Sequence, residues 1–208
     1  MDTEKLKWNI LFANPKQEIS YDSWLERYLP YIAAAKGPAL DLGCGLGNAT
    51  SFLLKHDIET ISCDFSSRAI AYVHKKFPNA KTIIHDMRNR FPFKDDSFVV
   101  VVADLSIHYF PWEKTREIMD EVARILQTNG IFLFRVNSVH DWNYGAGKGR
   151  EIERHYYHSI EGGCKRFFDA KDIDMLIADT WQKIRTAEDR MDRYGKEKRI
   201  WEVALKKS

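Results

Sequence analysis

Apolar and polar positions along this chain follow two rhythms that take turns. Short apolar runs at 39–42, 58–63, 81–85, 99–104 and 131–136 read as strands. Between them lie segments with apolar residues at helical spacing, such as Leu46, Ala49, Phe52 and Leu53, or Ile118, Val122, Ile125 and Leu126. The periodicity predicts helices over 68–77, ending at Pro78, and over 112–127, ended by Asn129-Gly130. The run Val99-Val100-Val101-Val102-Ala103 is continuously apolar, which marks a strand buried on both faces, as at the centre of a parallel sheet. Ahead of this alternation, residues 1–36 carry two helix-like pieces. Ser20 or Asp22 would cap the second, which puts Trp24, Leu25, Tyr28 and Leu29 on one face before Pro30. After it, residues 138–168 break the rhythm with five glycines (145, 147, 149, 162, 163) and an aromatic content that argues against disorder. A helix over 169–178, a strand over 182–192, a turn around Gly195 and a strand over 199–206 close the chain.

Composition narrows the classes. The 208 residues suit one domain with a substantial core. The formal net charge is +2, and neither 1–138 (17 basic, 17 acidic) nor 139–208 (15 and 13) has the basic excess expected of a nucleic-acid binder. Cys44, Cys63 and Cys164 form no Cys-x-x-Cys pair, so a reducing, cytoplasmic setting is expected. The charged start Met1-Asp2-Thr3-Glu4-Lys5 has no apolar signal core, and no apolar run reaches the ~20 residues of a membrane span, so no membrane partner is expected. His140, His155 and His158 match no common zinc spacing, and no metal is expected.

Chemistry concentrates at Asp41-Leu42-Gly43-Cys44-Gly45-Leu46-Gly47-Asn48, between a strand and a helix. Alternate glycines let a ligand approach bare backbone, and the helix start adds unpaired N–H donors. A dinucleotide fingerprint would have its third glycine where Asn48 stands, which argues against a nucleotide-dependent oxidoreductase. Asp64 follows Gly43 by 21 residues, where a ribose-binding acid is expected in such a unit. Asp-x-Gly-x-Gly-x-Gly resembles the first motif of the class I S-adenosylmethionine (SAM)-dependent methyltransferases. The lead-in Phe93-Lys94-Asp95-Asp96-Ser97-Phe98 and the run Ile125-Leu126-Gln127-Thr128-Asn129-Gly130 are similar to further motifs of that family. Val99 stands where the family usually has Asp, and Thr128-Asn129 where it has Pro-Gly.

The resemblance implies an α/β, Rossmann-like class I methyltransferase fold: a seven-stranded, mostly parallel sheet with an antiparallel C-terminal hairpin strand. It covers 37–137 specifically, and is similar to the small-molecule group that includes tellurite-resistance-type enzymes. The implied cofactor is SAM, held by Asp41, Gly43, Cys44, Gly45, Asn48, Asp64, Phe65, Asp86, Met87, Asp104 and Leu105. Within that set Asp64 would take the ribose, Phe65 flank the adenine, Asp86 receive its amino group and Met87 cover the ring. Residues 1–36 would cap the core, 138–168 form a lid over the acceptor, and 169–208 complete one domain. Acceptor contacts are expected from Tyr21, Tyr109, Asn137, Trp142, Tyr156 and Tyr157. His108 is expected nearest the methyl, as base or orienting donor, because imidazole titrates near neutrality. The expected activity is methyl transfer to a small molecule by a monomer or homodimer. The alternative is a non-catalytic protein that retains the fold.

Overall fold

The computed structural model describes residues 3–13, 23–159, 162–177, 179–192 and 195–208. Two N-terminal helices, α1 (Thr3–Ala13) and α2 (Leu29–Ala34), precede a regular alternation of strand and helix. It runs through β1 (Ala39–Leu42), α3 (Asn48–Lys55), β2 (Thr60–Asp64), α4 (Ser67–Lys76), β3 (Lys81–Ile84), β4 (Phe98–Asp104), α5 (Trp112–Ile125) and β5 (Leu126–Asn137). A second group follows: β6 (Arg150–Glu153), β7 (Tyr156–His158), β8 (Cys164–Arg166), α6 (Ala170–Leu176), β9 (Trp181–Met191) and β10 (Lys198–Lys207).

Seven strands form one sheet in the order β3-β2-β1-β4-β5-β10-β9. The first five pair in parallel, while β10 runs antiparallel to both β5 and β9. The sheet is thus the expected one. Strand β4 lies at its centre and its side chains serve two cores. Val101 and Ala103 join α5 and α6 on one face; Val100 and Val102 join α3, Trp24 and Tyr28 on the other. Strand order reverses between β1 and β4, and ligands in open α/β sheets bind at such a switch point, beyond the strands' C-terminal ends.

Three expectations are corrected. Residues 138–168 are not a loop: β6, β7 and β8 form a separate three-stranded antiparallel sheet. The glycine clusters punctuate strands of only three or four residues, too short for a period-two pattern to register. Pro30 does not end a helix. The segment Ser23–Tyr28 is a 3₁₀ turn, and α2 begins at Leu29 with Pro30 in its first turn, where its missing N–H costs nothing. The expected stripe Trp24, Leu25 and Tyr28 is buried as read; Ser20, Tyr21 and Asp22 lie outside the described residues. Finally, α5 stops at Ile125, and Asn129-Gly130 sits within β5 instead of ending the helix. Asn129 has φ 67, and the pairing of β4 with β5 skips there, from Phe98↔Leu126 to Val100↔Ile131.

Helix α1 buries none of its residues, yet it is tied down at three points. Ser66, which caps α4, donates to Asn9 Oδ1 at 2.7 Å; Trp8 meets Tyr109 edge-on at 5.2 Å; Lys7 donates to the Gly162 carbonyl at 2.7 Å. It therefore bridges α4, the turn after β4, and the loop that follows β7.

Candidate active site

The glycine turn is built from the backbone. Gly43 and Cys44 both donate to the Cys63 carbonyl (2.8 and 2.9 Å), and Gly47 donates back to Cys44 (2.8 Å). Gly43, Gly45 and Gly47 have φ of 75, 51 and 81°, the left-handed region that side chains resist. A Cβ on Gly43 would lie 2.4 Å from Ser106 Cβ and 3.2 Å from Met87 Cε. Ser106 is fixed there by its hydroxyl, which donates to the Leu42 carbonyl at 2.8 Å. On the other side, Phe12 of α1 comes to 3.5 Å from a Cβ built on Gly45. Ser106 and Phe12 carry no local sequence signal; only the folded contact reveals them. The Cys44 thiol is buried and burial pushes its pKa well up, so it packs as an apolar group.

The acids around the turn divide the work. Asp41 is 2% exposed, and its Oδ2 accepts from both Thr50 N (2.8 Å) and Thr50 Oγ1 (2.7 Å). It clamps the first turn of α3 to β1, so this acid acts on the backbone of the glycine turn and not at its open side. Asp64 accepts from Gly45 N (3.0 Å, Oδ2) and Ser66 N (2.8 Å, Oδ1). The Phe65 backbone bonds it as well, and since a carboxylate has about four acceptor positions Asp64 keeps capacity for a further donor. Burial raises the Asp64 pKa against the pull of these backbone bonds. Asn48 opens α3, and its buried Oδ1 has no partner among the described residues. If Asp64 holds the ribose, Asp64→Ala will weaken SAM binding by ~1.5–3 kcal/mol, the worth of hydrogen bonds to a charged group. Calorimetry measures it, and unchanged affinity would reduce Asp64 to a loop clamp.

Other expected contacts have partners of their own. Asp86 is held by Arg88, whose guanidinium donates to both oxygens, Nε at 3.0 and 2.9 Å. Met87 lies over Gly43, its Cε 3.2 Å from a Cβ built there, and Phe65 and Leu105 are half-buried. Leu105 is held at φ 55. Asp104 is engaged by Arg135 through two parallel bonds, Nε–Oδ1 2.7 Å and Nη2–Oδ2 2.8 Å, and the Arg135 guanidinium lies over Trp24 at 4.4 Å. Strand alternation puts Asp104 on the face of Val100 and Val102, beside its register partner Arg135.

On the acceptor side, His108 is 2% exposed and its Nδ1 has no partner among the described residues. Burial, then the charges of Lys198 and Lys165, push its pKa well below the usual histidine value, so the ring is neutral at pH 7. Tyr109 stacks beside it, ring centroids 4.3 Å apart. Asn137 is buried, and Tyr157 is half-buried against Phe167. Tyr156 is a strut: its hydroxyl donates to the Tyr109 carbonyl at 3.1 Å, and Arg166 covers its ring. Trp142 does not line the site, being 66% exposed beside His140. The three histidines also separate. His140 pairs with Glu188 at 2.7 Å, and His155 with Asp172 at 2.7 Å. Among the described residues His155, Asp169 and Asp172 lie close enough to share an ion, but Arg154 already bonds both acids. No helix of the described residues is long and apolar enough to cross a membrane.

Comparison with known proteins agrees with this geometry. The family described as "Methyltransferase domain" matches residues 39–130. The chain is 27% identical over 172 residues to tRNA N(3)-cytidine methyltransferase METTL2 of Danio rerio, covering 76% of this chain and 48% of that protein. It is 30% identical over 125 residues to the putative methyltransferase YqeM of Bacillus subtilis, covering 57% and 48%. The chain thus spans about half the length of these curated relatives. Among solved structures, a SAM-dependent methyltransferase of Methanosarcina mazei superposes with TM-score 0.71 at 16% identity, covering 83% of this chain and 93% of that one. The Burkholderia thailandensis 1,6-didemethyltoxoflavin-N1-methyltransferase, solved with its substrate and S-adenosylhomocysteine, gives 0.69 at 14%, covering 99% and 87%. The matched segment holds the whole glycine turn, Asp64 and Asp86, it is similar to the methyltransferase domain, and the sheet order around it is that of the class I SAM-dependent methyltransferase fold.

Proposed function

We propose that the chain transfers the methyl group of SAM to a small-molecule acceptor held beyond the C-terminal ends of β4 and β5. The observation that carries this reading is the covered glycine turn, with Gly43 closed by Ser106 and Met87 and Gly45 bonded to Asp64. The residues fit the cofactor. Asp64 retains acceptor capacity for ribose hydroxyls, the orphaned Asn48 Oδ1 suits a donor at the start of α3, and Met87 offers an apolar cover. When bound, SAM supplies a methyl activated by its sulfonium. The chain's own task is to orient the acceptor and exclude water. Trp8 and Phe12 of α1 cover one side, and the β6–β8 sheet, tied to α5 through Glu153 and Trp112 N (2.9 Å), covers another. In this reading residues 138–168 act as a largely preformed wall rather than a hinged lid.

His108 is assigned to the acceptor's reacting group. Its neutral ring can accept a proton or donate one hydrogen bond. His108→Gln should lower turnover on the order of 10²-fold with SAM affinity kept. A variant that is merely less stable, with full turnover per folded molecule, would make His108 structural. The overall reading is tested by scoring S-adenosylhomocysteine release from two arms, a small-molecule panel and bulk tRNA. The METTL2 relatives are named for tRNA, and methylation confined to the tRNA arm would overturn the small-molecule acceptor. Failure to bind SAM at all would overturn methyl transfer itself.

A further inference from the structure

One row of side chains crosses the small sheet from edge to edge. Glu153 of β6 is the register partner of Tyr156 of β7, and Tyr156 is the partner of Arg166 of β8. The three share a face: Arg166 lies over the Tyr156 ring at 5.0 Å and pairs with the Glu153 carboxylate. The row engages backbone groups of one segment, the turn from β4 into α5. Tyr156 Oη donates to the Tyr109 carbonyl (3.1 Å), Arg166 Nε donates to the Phe110 carbonyl (3.3 Å), and Glu153 Oε2 accepts from Trp112 N (2.9 Å). That segment needs outside partners, because Pro111 at the N-cap of α5 supplies no side-chain cap.

Arg166 holds the row together. It is buried, and beyond the Phe110 bond its Nη1 donates to the Arg154 carbonyl at 2.9 Å and its Nη2 to Glu153. Its three nitrogens thus serve three partners, which a planar fork can do and the single ammonium of lysine cannot. Its own carbonyl receives Asn137 Nδ2 at 3.5 Å, a tie from β8 back to β5.

The same turn closes the glycine turn on its other side. Ser106, three residues before Tyr109, is bonded to the Leu42 carbonyl, and its Cβ lies 2.4 Å from a Cβ built on Gly43. Tyr109 also receives the edge contact of Trp8 from α1, the helix whose Phe12 lies over Gly45. Lys7 of α1 in turn bonds the Gly162 carbonyl, between β7 and β8. Both covers of the glycine turn are therefore braced against the small sheet.

We propose that the row Glu153–Tyr156–Arg166 positions the cofactor turn, with Arg166 as the positioning residue. By fixing the backbone of 109–112 it sets Ser106 at the place against which Gly43 closes. The proposal rests on the glycine turn being the SAM site, and S-adenosylhomocysteine is the probe that tests both. Calorimetry is run on each variant at a temperature where circular dichroism shows it folded. Arg166→Lys keeps a charge opposite Glu153 but loses the fork, and should weaken S-adenosylhomocysteine binding on the order of tenfold. Arg154→Ala is the control. Its side chain bonds Asp169 and Asp172 at the start of α6, so its loss weakens the same sheet's attachment without touching 109–112, and affinity should stay within about twofold. Ser106→Ala removes the bond to Leu42, the link through which the row acts. Arg166 and Ser106 share no bond among the described residues, so independent effects would add; Arg166→Lys should instead lose less affinity in Ser106→Ala than in the wild type. A merely structural role would lower the melting temperature without producing that coupling. Should Arg166→Lys not fold, Tyr156→Phe deletes one hydroxyl, keeps the ring under Arg166, and should weaken binding by roughly a few fold. Unchanged affinity in Arg166→Lys, or in Tyr156→Phe where that variant stands in, overturns the positioning role and leaves the cofactor site standing. A loss no larger than that of Arg154→Ala, or additive losses in the Ser106 pair, overturns it equally. A wild-type chain that does not bind S-adenosylhomocysteine overturns the cofactor site itself, and the positioning role with it.

Discussion

Replacing Gly43 by alanine should cost ~2–5 kcal/mol of stability and take SAM binding with it. Two effects add at this position. The backbone φ of 75° is left-handed, and a side chain there costs roughly 1–2 kcal/mol. The new methyl would also lie 2.4 Å from Ser106 Cβ, a contact no real Cβ tolerates. Ser106 cannot swing aside, because its Cβ is one bond from the backbone and its hydroxyl is held by the Leu42 carbonyl at 2.8 Å. Forcing the two apart is overpacking, worth ~1–3 kcal/mol, and it opens the turn that is proposed to hold the cofactor. Urea denaturation and calorimetry with SAM measure both losses. The double variant Gly43→Ala/Ser106→Gly should recover the packing share and not the backbone share. Gly147 provides the contrast: its φ is 69°, but nothing lies within 4 Å of an added Cβ, so Gly147→Ala should pay only the backbone share and leave SAM affinity intact. Normal affinity in Gly43→Ala would mean that the turn does not hold the cofactor.

The sequence displays what is local and hides what is made by pairing across the sheet. The run from Val99 to Ala103 announces a central strand because every position is apolar, and the structure buries all five. The glycine turn and Asp64 are visible because one strand–helix–strand unit fixes their separation in the chain. Arg135 has no such signal. Among charged residues it looks like any other, and only the register Asp104↔Arg135 explains why it is buried. Lys198 is hidden for the same reason, in a strand rich in lysine and arginine, and it is found only by its position diagonal to Asn137. The β6–β8 sheet escaped for another reason: its strands hold at most two repeats of their own alternation, so glycines dominate the pattern. The buried polar cluster of His108, Asn137, Arg166 and Lys198 is accordingly less legible, because no short motif joins those residues.

Asp41 should make the fold less stable as the pH rises from about 4 to about 7. Its carboxyl is buried with no cation against it among the described residues, and burial raises its pKa from 3.8 to about 7, the two Thr50 hydrogen bonds offsetting part of the rise and the charges of Asp104 and Asp64 adding to it. In the unfolded chain the group ionises near pH 4; in the folded chain it keeps its proton to near neutrality. Across that window the folded state holds a proton that the unfolded state has lost, so each pH unit removes up to ~1.4 kcal/mol, or ~4 kcal/mol in all. Above about 7 the loss is complete and the slope ends. His108 works the other way, since its lowered pKa makes folding more favourable as the pH rises toward 6.5, so the net profile of the wild-type chain mixes the two. The difference between wild type and Asp41→Asn isolates the acid. Thr50 N and Oγ1 both donate to one oxygen, Oδ2, which an amide carbonyl can replace, and nothing in that arrangement requires a charge. Asp41→Asn should therefore match the wild type at about pH 3.5 and exceed it by several kcal/mol at pH 8, read as a widening gap between urea midpoints. The clamp of α3 on β1 is kept, so SAM affinity should stay within a few fold of wild type at pH 8. Parallel stability profiles would show that Asp41 is ionised throughout, and that its charge is matched by the helix start it holds.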